Sequence, residues 1–484
     1  MDFNKTIGSI PDGFEIALFP ELGISVTGAS LHQMSGKCAA WLQERGLKSI
    51  GIHIANYPEF LYLFAGAMRA GVKVVLLNAL AEIGTDLPFP VFDREKVAGI
   101  TGGQGNAPAS FSPYVWKSGE PIVSIMTSGT SGEKKLIDKS FDNFFGARGV
   151  RPGIRFLIRL FRIRVYNCSP WYHNTGMCLL LLNLSGGLFT QITAGRFNPE
   201  KMRHNINGTL PNYIITTPTM LYRCVSCGET RLPSYIICTG EHLSESTIDL
   251  LEINGGGQLL YNSYGTTETG AVSALTYVFD SVRMSGRIVE AALRLTGFGG
   301  AVFNKKTRRP GCAGEILKKA DVKISGDGEV LVRTKIMTGG SGTGTGYHNT
   351  GDIGFVENNL LFLTGRRGYV INRSGEKIVP DDIAKVLARM EGVKSVQVFG
   401  ISSETHGEDI CAAIESESGE KVFELSDLNG VLPNYMLPQH LLFLGSFPMT
   451  PSGKVDLSAL KALALSSILF PHAADSAGPR PVEV

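Results

Sequence analysis

The chain has no stretch approaching the ~20 uncharged apolar residues that a membrane-crossing helix needs. Its first residues, Met1-Asp2-Phe3-Asn4-Lys5, lack the basic start and apolar run of a secretion signal. Charge of either sign is not in excess: 46 basic against 44 acidic side chains leave a net charge of +2. That balance gives no reason to expect a nucleic-acid partner, which would require a concentrated basic patch. The eight cysteines are scattered through apolar stretches and form no small-domain disulfide framework. Cys224 and Cys227 make one C-x-x-C, but no second pair stands at zinc-ligand spacing, so both are expected to be ordinary helix-face thiols. Internal repeats and low-complexity segments are also missing. These absences leave a cytoplasmic enzyme with reduced thiols as the expectation.

What the sequence does have is length and glycine: 484 residues, 58 of them Gly. The length predicts a large domain plus a smaller one, and the glycines predict tight turns and sites lined by backbone. Leu31, Met34, Cys38 and Leu42 recur at helical spacing, with Gly46 placed to end that helix. A strand over 49–54, a helix over 57–70 and a strand over 72–77 form a parallel crossover unit. Apolar runs at 121–126, 213–217 and 235–238 continue an α/β pattern. Beyond Gly365 the texture changes. Pro380 opens a helix striped by Ile383, Val386, Leu387 and Met390, and short strands are expected at 393–400 and 410–414.

Chemistry is densest after the run 122–126, in Thr127-Ser128-Gly129-Thr130-Ser131-Gly132-Glu133-Lys134-Lys135. Hydroxyls and glycines let N–H and O–H groups converge on phosphate oxygens, and Lys135 can neutralise their charge. The spacing is not that of a Walker loop. Alone, the stretch could equally be a surface loop. Four more motifs follow in order: Asn262-Ser263-Tyr264-Gly265-Thr266-Thr267-Glu268, Thr350-Gly351-Asp352, Gly365-Arg366, and Pro451-Ser452-Gly453-Lys454.

With that ordered set, the chain resembles the adenylate-forming superfamily of acyl-CoA synthetases, adenylation domains and luciferases, from about Gly28 to Leu460. The resemblance implies a large N-terminal domain (1–365) of parallel and mixed sheets flanked by helices, with a small β-barrel subdomain. It also implies a hinge (366–369), a mobile α+β C-terminal domain (370–462) and a loose tail (463–484). It implies ATP and Mg²⁺ as cofactors, a small-molecule carboxylic acid as substrate, and an acyl-AMP intermediate.

The resemblance assigns roles residue by residue. Thr127, Ser128, Gly129, Thr130, Ser131, Gly132 and Lys135 would hold the β- and γ-phosphates. Tyr264, beside Gly265 and Thr266, would stack on adenine. Thr267 would bond the α-phosphate, and Glu268 would ligate Mg²⁺, for which a hard carboxylate is suited. Asp352 would accept the ribose hydroxyls, with Arg366 as a fixed cation nearby. Lys454 is the expected catalytic residue, placing an ammonium where charge gathers on the α-phosphate. Ser169-Pro170-Trp171-Tyr172-His173-Asn174-Thr175-Gly176 resembles the family's P-x-x-H-x-x-G, putting His173 at the acid pocket or simply in the core. Thr217-Pro218-Thr219 and Thr239-Gly240-Glu241 resemble pocket-lining stretches. Amino-acid-activating members of the resembled family often carry an aspartate in this region to pair with the substrate ammonium; none stands at 169–176, so the resemblance implies an acid without an α-amino group.

For the second half-reaction, Gly375 in Ser374-Gly375-Glu376-Lys377-Ile378 would let a pantetheine arm pass close to the backbone. Departures concentrate here. Gly368 stands at the usual Asp or Lys hinge and Lys134 replaces a proline. Asn372 and Arg373 stand where lysine is common, and Leu457 replaces a frequent arginine. No G-x-D-S carrier attachment site follows Leu460. The acceptor is therefore CoA, the phosphopantetheine of a separate carrier protein, or an amine, with CoA first. A catalytically silent nucleotide-binding relative is the reading of a different class; the joint presence of Lys135, Glu268, Asp352 and Lys454 argues against it. Finally, Arg148, Arg151, Arg155, Arg159 and Arg162 recur every three or four residues among apolar side chains. Such a face could touch membrane lipid or an acidic carrier, although a solvated helix is the more ordinary reading.

Overall fold

The computed structural model describes the chain except residues 80–86, 103–109, 129–133, 146–161, 196, 242, 244, 255–258, 280–300, 305–306, 308, 310, 339–345, 367–370, 374–375, 404, 451–453 and 470–484. The chain divides into two units. The larger holds Met1–Thr350 and Phe355–Phe362; the smaller holds Gly351–Gly354, Leu363–Thr450 and Lys454–Val484.

The first helix–strand alternation forms as the spacing predicts. The helix Gly28–Glu44 begins at a capping box in which Thr27 and Ser30 satisfy each other's backbone N–H groups. The helix Pro58–Ala70 opens on proline and stops at Gly71, whose φ of +74° is the left-handed geometry that terminates helices. Its Phe60, Leu61, Leu63, Phe64, Ala65, Ala67 and Met68 are all buried. Burial of each large side chain removes apolar area worth about 1.5–3 kcal/mol. The two helices meet closely because Gly66 faces Cys38: a Cβ there would lie 2.5 Å from the Cys38 Cβ.

Strands Val91–Phe92, Ser49–Ile52, Lys73–Leu76 and Pro121–Ser128 run parallel in that spatial order, and Lys134–Ser140 closes the sheet antiparallel. A second, 14-stranded sheet holds the rest of the larger unit's strands. Its centre is parallel: Glu15–Phe19, Thr190–Thr193, Arg164–Asn167, Tyr213–Thr216, Tyr235–Thr239 and Leu259–Thr266. The turn at 267–269 then reverses the chain into Gly270–Val278, and the pairing becomes antiparallel. Strands Cys312–Ile316, Ala320–Ile324, Glu329–Thr334, His348–Glu357 and Leu360–Arg366 continue the hydrogen-bonded path of this sheet.

In the smaller unit, strands Glu376–Ile378, Ile371–Arg373, Gly407–Glu415 and Ser395–Ser403 pair in that order, with His440–Leu444 parallel to Gly407–Glu415. The helix Pro380–Leu387 buries Ile383 and Leu387, but ends before Met390. The helix Leu457–Leu469 buries Leu460 and Ala464 against Phe399, Cys411 and Phe447. Residues 463–469, expected to begin a loose tail, continue this helix instead; Leu460 and Ala464 recur four apart and hold it to the core.

All eight cysteines are free thiols. Cys224 is buried on the helix Pro218–Ser226, whereas Cys227 follows its end and is exposed. Burial pushes the Cys38, Cys168, Cys224 and Cys411 thiols up to about 12, so these four stay neutral. No described helix is long and apolar enough to cross a membrane. Of the arginine series only Arg162 lies among the described residues.

Candidate active site

Open α/β sheets bind ligands beyond the carboxyl ends of their parallel strands, and the sequence-expected segments leave the large sheet there. After Arg164–Asn167 the chain passes through Ser169–His173 to the helix Asn174–Leu184. Buried Asn56 fixes that passage. Its Oδ1 accepts from the Trp171 N–H at 2.7 Å, while its Nδ2 donates to the Ser169 carbonyl at 3.2 Å and to the Thr193 hydroxyl at 2.8 Å. His173 occupies the position before the helix, half-buried, its ring centroid 4.8 Å from that of Tyr172. Gly176 is required: a Cβ would stand 2.1 Å from the Pro170 carbonyl oxygen. This gives the P-x-x-H-x-x-G pattern a steric cause.

The next strands behave alike. Thr217 caps the helix Pro218–Ser226, its hydroxyl accepting from the Met220 N–H at 3.2 Å. Glu241 accepts from the Thr219 N–H at 3.1 Å. The two pocket-lining stretches expected from sequence therefore touch. Gly240, at φ +86°, makes the left-handed exit from the strand Tyr235–Thr239 that a side chain would resist.

Tyr264 to Glu268 end the neighbouring strand and enter the turn. The Thr266 and Thr269 hydroxyls each accept from the other's backbone N–H, at 3.3 and 3.2 Å. The Thr338 N–H donates to the Glu268 carbonyl at 3.2 Å, and the Thr334 hydroxyl to that of Thr269 at 2.7 Å. The Glu268 side chain is 23% exposed, with the His348 Nε2 at 3.9 Å from its carboxylate. Tyr264 is half-buried on the strand. A Cβ on Gly265 would lie 2.0 Å from the Gly270 carbonyl oxygen, a backbone atom unable to move aside. Gly265→Ala is therefore expected to spread the hairpin at a cost of roughly 1–3 kcal/mol. A lower thermal midpoint together with weaker ATP binding would check this; a wild-type value of both would refute it.

The motif expected as the phosphate loop is flanked by two antiparallel strands, Pro121–Ser128 and Lys134–Ser140. Thr127 pairs with Lys135 and Ser128 with Lys134, and Lys135 is exposed. Gly129, Thr130, Ser131 and Gly132 lie outside the described residues, as do Gly368, Gly375 and Pro451-Ser452-Gly453. The return strand carries a residue that sequence reasoning passed over. Lys139 is only 1% exposed, and its ammonium donates to the Thr267 carbonyl at 2.5 Å and to Asn174 Oδ1 at 2.9 Å. Burial pushes it down to about 8, opposed by the nearby Cys178 and Glu268. His348 and Asn56 were also missed; neither falls in a motif.

In the smaller unit, Arg366 Nε lies 3.6 Å from the Asp352 carboxylate, joining the two residues expected near the ribose. Lys454 is exposed, and the Thr450 N–H donates to its carbonyl at 2.7 Å. No cluster of three or more His, Cys, Asp or Glu stands ready for a metal among the described residues. One carboxylate in a turn suits Mg²⁺, which keeps water and takes its remaining ligands from substrate phosphates.

Comparison with known proteins matches residues 91–348, more than half of the chain, to the model of the AMP-binding enzymes. A 2-succinylbenzoate–CoA ligase of Geobacillus sp. (strain WCH70) is 26% identical over 360 residues, which are 71% of this chain and 69% of that one. An oxalate–CoA ligase of Arabidopsis thaliana is 24% identical over 485 residues, covering 89% of this chain and 92% of that one. Among solved structures, the o-succinylbenzoate CoA synthetase of Bacillus subtilis in complex with its acyl-adenylate intermediate has the same fold. Its TM-score is 0.71 at 19% identity, over 95% of this chain and 98% of that one. The chain belongs to the AMP-binding family of adenylate-forming enzymes.

Proposed function

We propose that this protein is an acid–thiol ligase that joins a carboxylic acid to CoA through an acyl-adenylate. In the first step a carboxylate oxygen attacks the α-phosphorus of ATP, the bond to the bridging oxygen breaks, and pyrophosphate leaves. In the second the CoA sulfur attacks the acyl carbonyl, its proton is lost, and AMP departs. No general base is needed for the first attack, because the acid is already ionised at neutral pH.

The chain's residues divide this work. The hairpin of Thr127, Ser128 and Lys135 presents the segment for the β- and γ-phosphates. Tyr264 offers a π face to adenine, Thr267 a donor to the α-phosphate, and Asp352 with Arg366 an acceptor–cation pair to the ribose. Glu268 would hold Mg²⁺, which when bound offsets charge on the phosphate oxygens. Lys454 supplies the ammonium that meets charge developing at the α-phosphate. His173, Thr217 and Gly240 line the acid side, and Gly375 gives pantetheine a narrow path.

The observation that carries the reading is the delivery of four expected segments to the carboxyl ends of adjacent parallel strands. It is joined by the bond from Lys139, on the phosphate-loop hairpin, to the Thr267 carbonyl. CoA as acceptor rests on the names of the relatives. Both relatives are named for acids without an α-amino group and with a second carboxylate, so dicarboxylic acids lead the candidates, and aryl, short-chain and long-chain acids follow. The test is acid-dependent ATP–pyrophosphate exchange across these classes, then mass spectrometry of products with CoA. Exchange with at least one acid and a matching acyl-CoA is expected. No exchange with any acid overturns the adenylation step; acyl-AMP that passes to a carrier thiol or an amine but never to CoA overturns the acceptor.

A further inference from the structure

Lys139 lies in the interior with no carboxylate at ion-pair distance among the described residues. Desolvating an ammonium is costly, and a methionine of similar volume would occupy the same space without that cost. Fold stability alone is therefore a poor account of a lysine at this point. What an apolar side chain could not supply is the set of donors. One reaches the Thr267 carbonyl, a second reaches Asn174, and the Phe144 ring centroid lies 5.0 Å from the nitrogen, within cation–π range.

The three partners come from separate elements: the turn bearing Glu268, the start of the helix that follows His173, and the short helix Asp142–Phe145. Lys139 itself belongs to the return strand of the phosphate-loop hairpin, four residues from Lys135 and opposite Val123. The Thr267–Glu268 segment is thus held at two successive carbonyls, Thr267 by Lys139 and Glu268 by the Thr338 N–H. Two anchored peptide oxygens fix the plane from which the Glu268 side chain departs. A charge-assisted donor makes the first anchor short and directional.

From this geometry we infer that Lys139 is a positioning residue: it aims the Glu268 carboxylate at the metal–nucleotide complex by tying the Glu268 turn to the strand after the phosphate loop and to Asn174. The inference rests on the adenylating role proposed above. It concerns how the metal ligand is oriented, so its signature is a selective loss of metal-dependent nucleotide binding.

The test compares wild type, Lys139→Met and Lys139→Gln by calorimetry, with ATP titrated once in excess Mg²⁺ and once in EDTA, and by thermal unfolding without ligand. Lys139→Met is expected to weaken Mg·ATP binding about 10- to 100-fold, the range seen when a group orienting a metal ligand is lost. Metal-free ATP binding should change less than about threefold. Lys139→Gln, which keeps a neutral donor, should recover part of the loss. In exchange assays, Lys139→Met should raise the Mg²⁺ half-saturation and leave the KM for acid nearly unchanged. Equal weakening of Mg·ATP and metal-free ATP would overturn the inference, as would wild-type Mg·ATP binding. If Lys139→Met does not fold, Lys139→Gln and Asn174→Ala decide by the same selectivity. A wild type silent toward every acid would remove the proposed reaction, while the calorimetric comparison would still decide the role of Lys139.

Discussion

Replacing Lys454 with alanine is expected to lower acid-dependent ATP–pyrophosphate exchange by about 100- to 1000-fold. Acyl-AMP supplied from outside should still react with CoA at close to the wild-type rate. The asymmetry follows from where charge develops. During adenylation, negative charge collects on the oxygens of the α-phosphate as carboxylate and leaving group share the phosphorus, and the ammonium proposed to meet it would stabilise that arrangement more than the ground state. During thiolysis the charge develops on the acyl oxygen, and the ammonium has no comparable task. The substitution leaves the bonds between Thr450 and the Lys454 backbone in place. The Thr450 N–H and hydroxyl both donate to the Lys454 carbonyl, and the Thr450 hydroxyl oxygen accepts from the Lys454 N–H. None of these bonds involves the lysine side chain, which is exposed. Unchanged exchange in Lys454→Ala would remove the assignment of this residue to the adenylation step.

The parts legible in the sequence were those with local causes. The helix Gly28–Glu44 announces itself through Leu31, Cys38 and Leu42 on one face, and its capping box lies in consecutive residues. The turn at Glu268 was legible only through the resemblance carried by residues 262–268, to which the structure adds a local cause: a Cβ on Gly265 would strike the Gly270 carbonyl. Lys139 was not legible, and the reason is physical. In the strand Lys134–Ser140 the hydropathy order is inverted at two positions: Leu136 is 52% exposed while Lys139 is 1% exposed. A reading by hydropathy alone would place the lysine outside and the leucine inside. What buries it is the Thr267 turn and Asn174, 128 and 35 residues away in the chain. Asn56 was hidden in the same way, since its partners Ser169, Trp171 and Thr193 lie 113, 115 and 137 residues away in the chain. The helix Leu457–Leu469 extends beyond the expected domain end because apolar contacts with Phe399, Cys411 and Phe447 support it, and these too are distant in sequence.

Glu268→Gln should be nearly as damaging as the loss of Lys454 but should fail differently. The amide conserves volume and shape, and the turn is held by bonds that do not use the side chain: Thr338 to the Glu268 carbonyl, Lys139 to that of Thr267, and the Thr266–Thr269 pair. Fold and metal-free ATP binding are therefore expected to survive. What disappears is the one charge in this turn that a hard divalent cation can use. A neutral amide does not replace that charge for a hard cation. Exchange is expected to fall by about 100-fold at ordinary Mg²⁺, and the half-saturating Mg²⁺ concentration to rise. Excess Mg²⁺ should restore part of the rate, because a weakened site refills by mass action. Lys454→Ala should show no such recovery, since raising the metal concentration does not replace an ammonium at the α-phosphate. Glu268→Gln that keeps the wild-type Mg²⁺ dependence would show that the metal is held elsewhere. The role inferred for Lys139 would fall with it, because a residue cannot orient a ligand that does not bind.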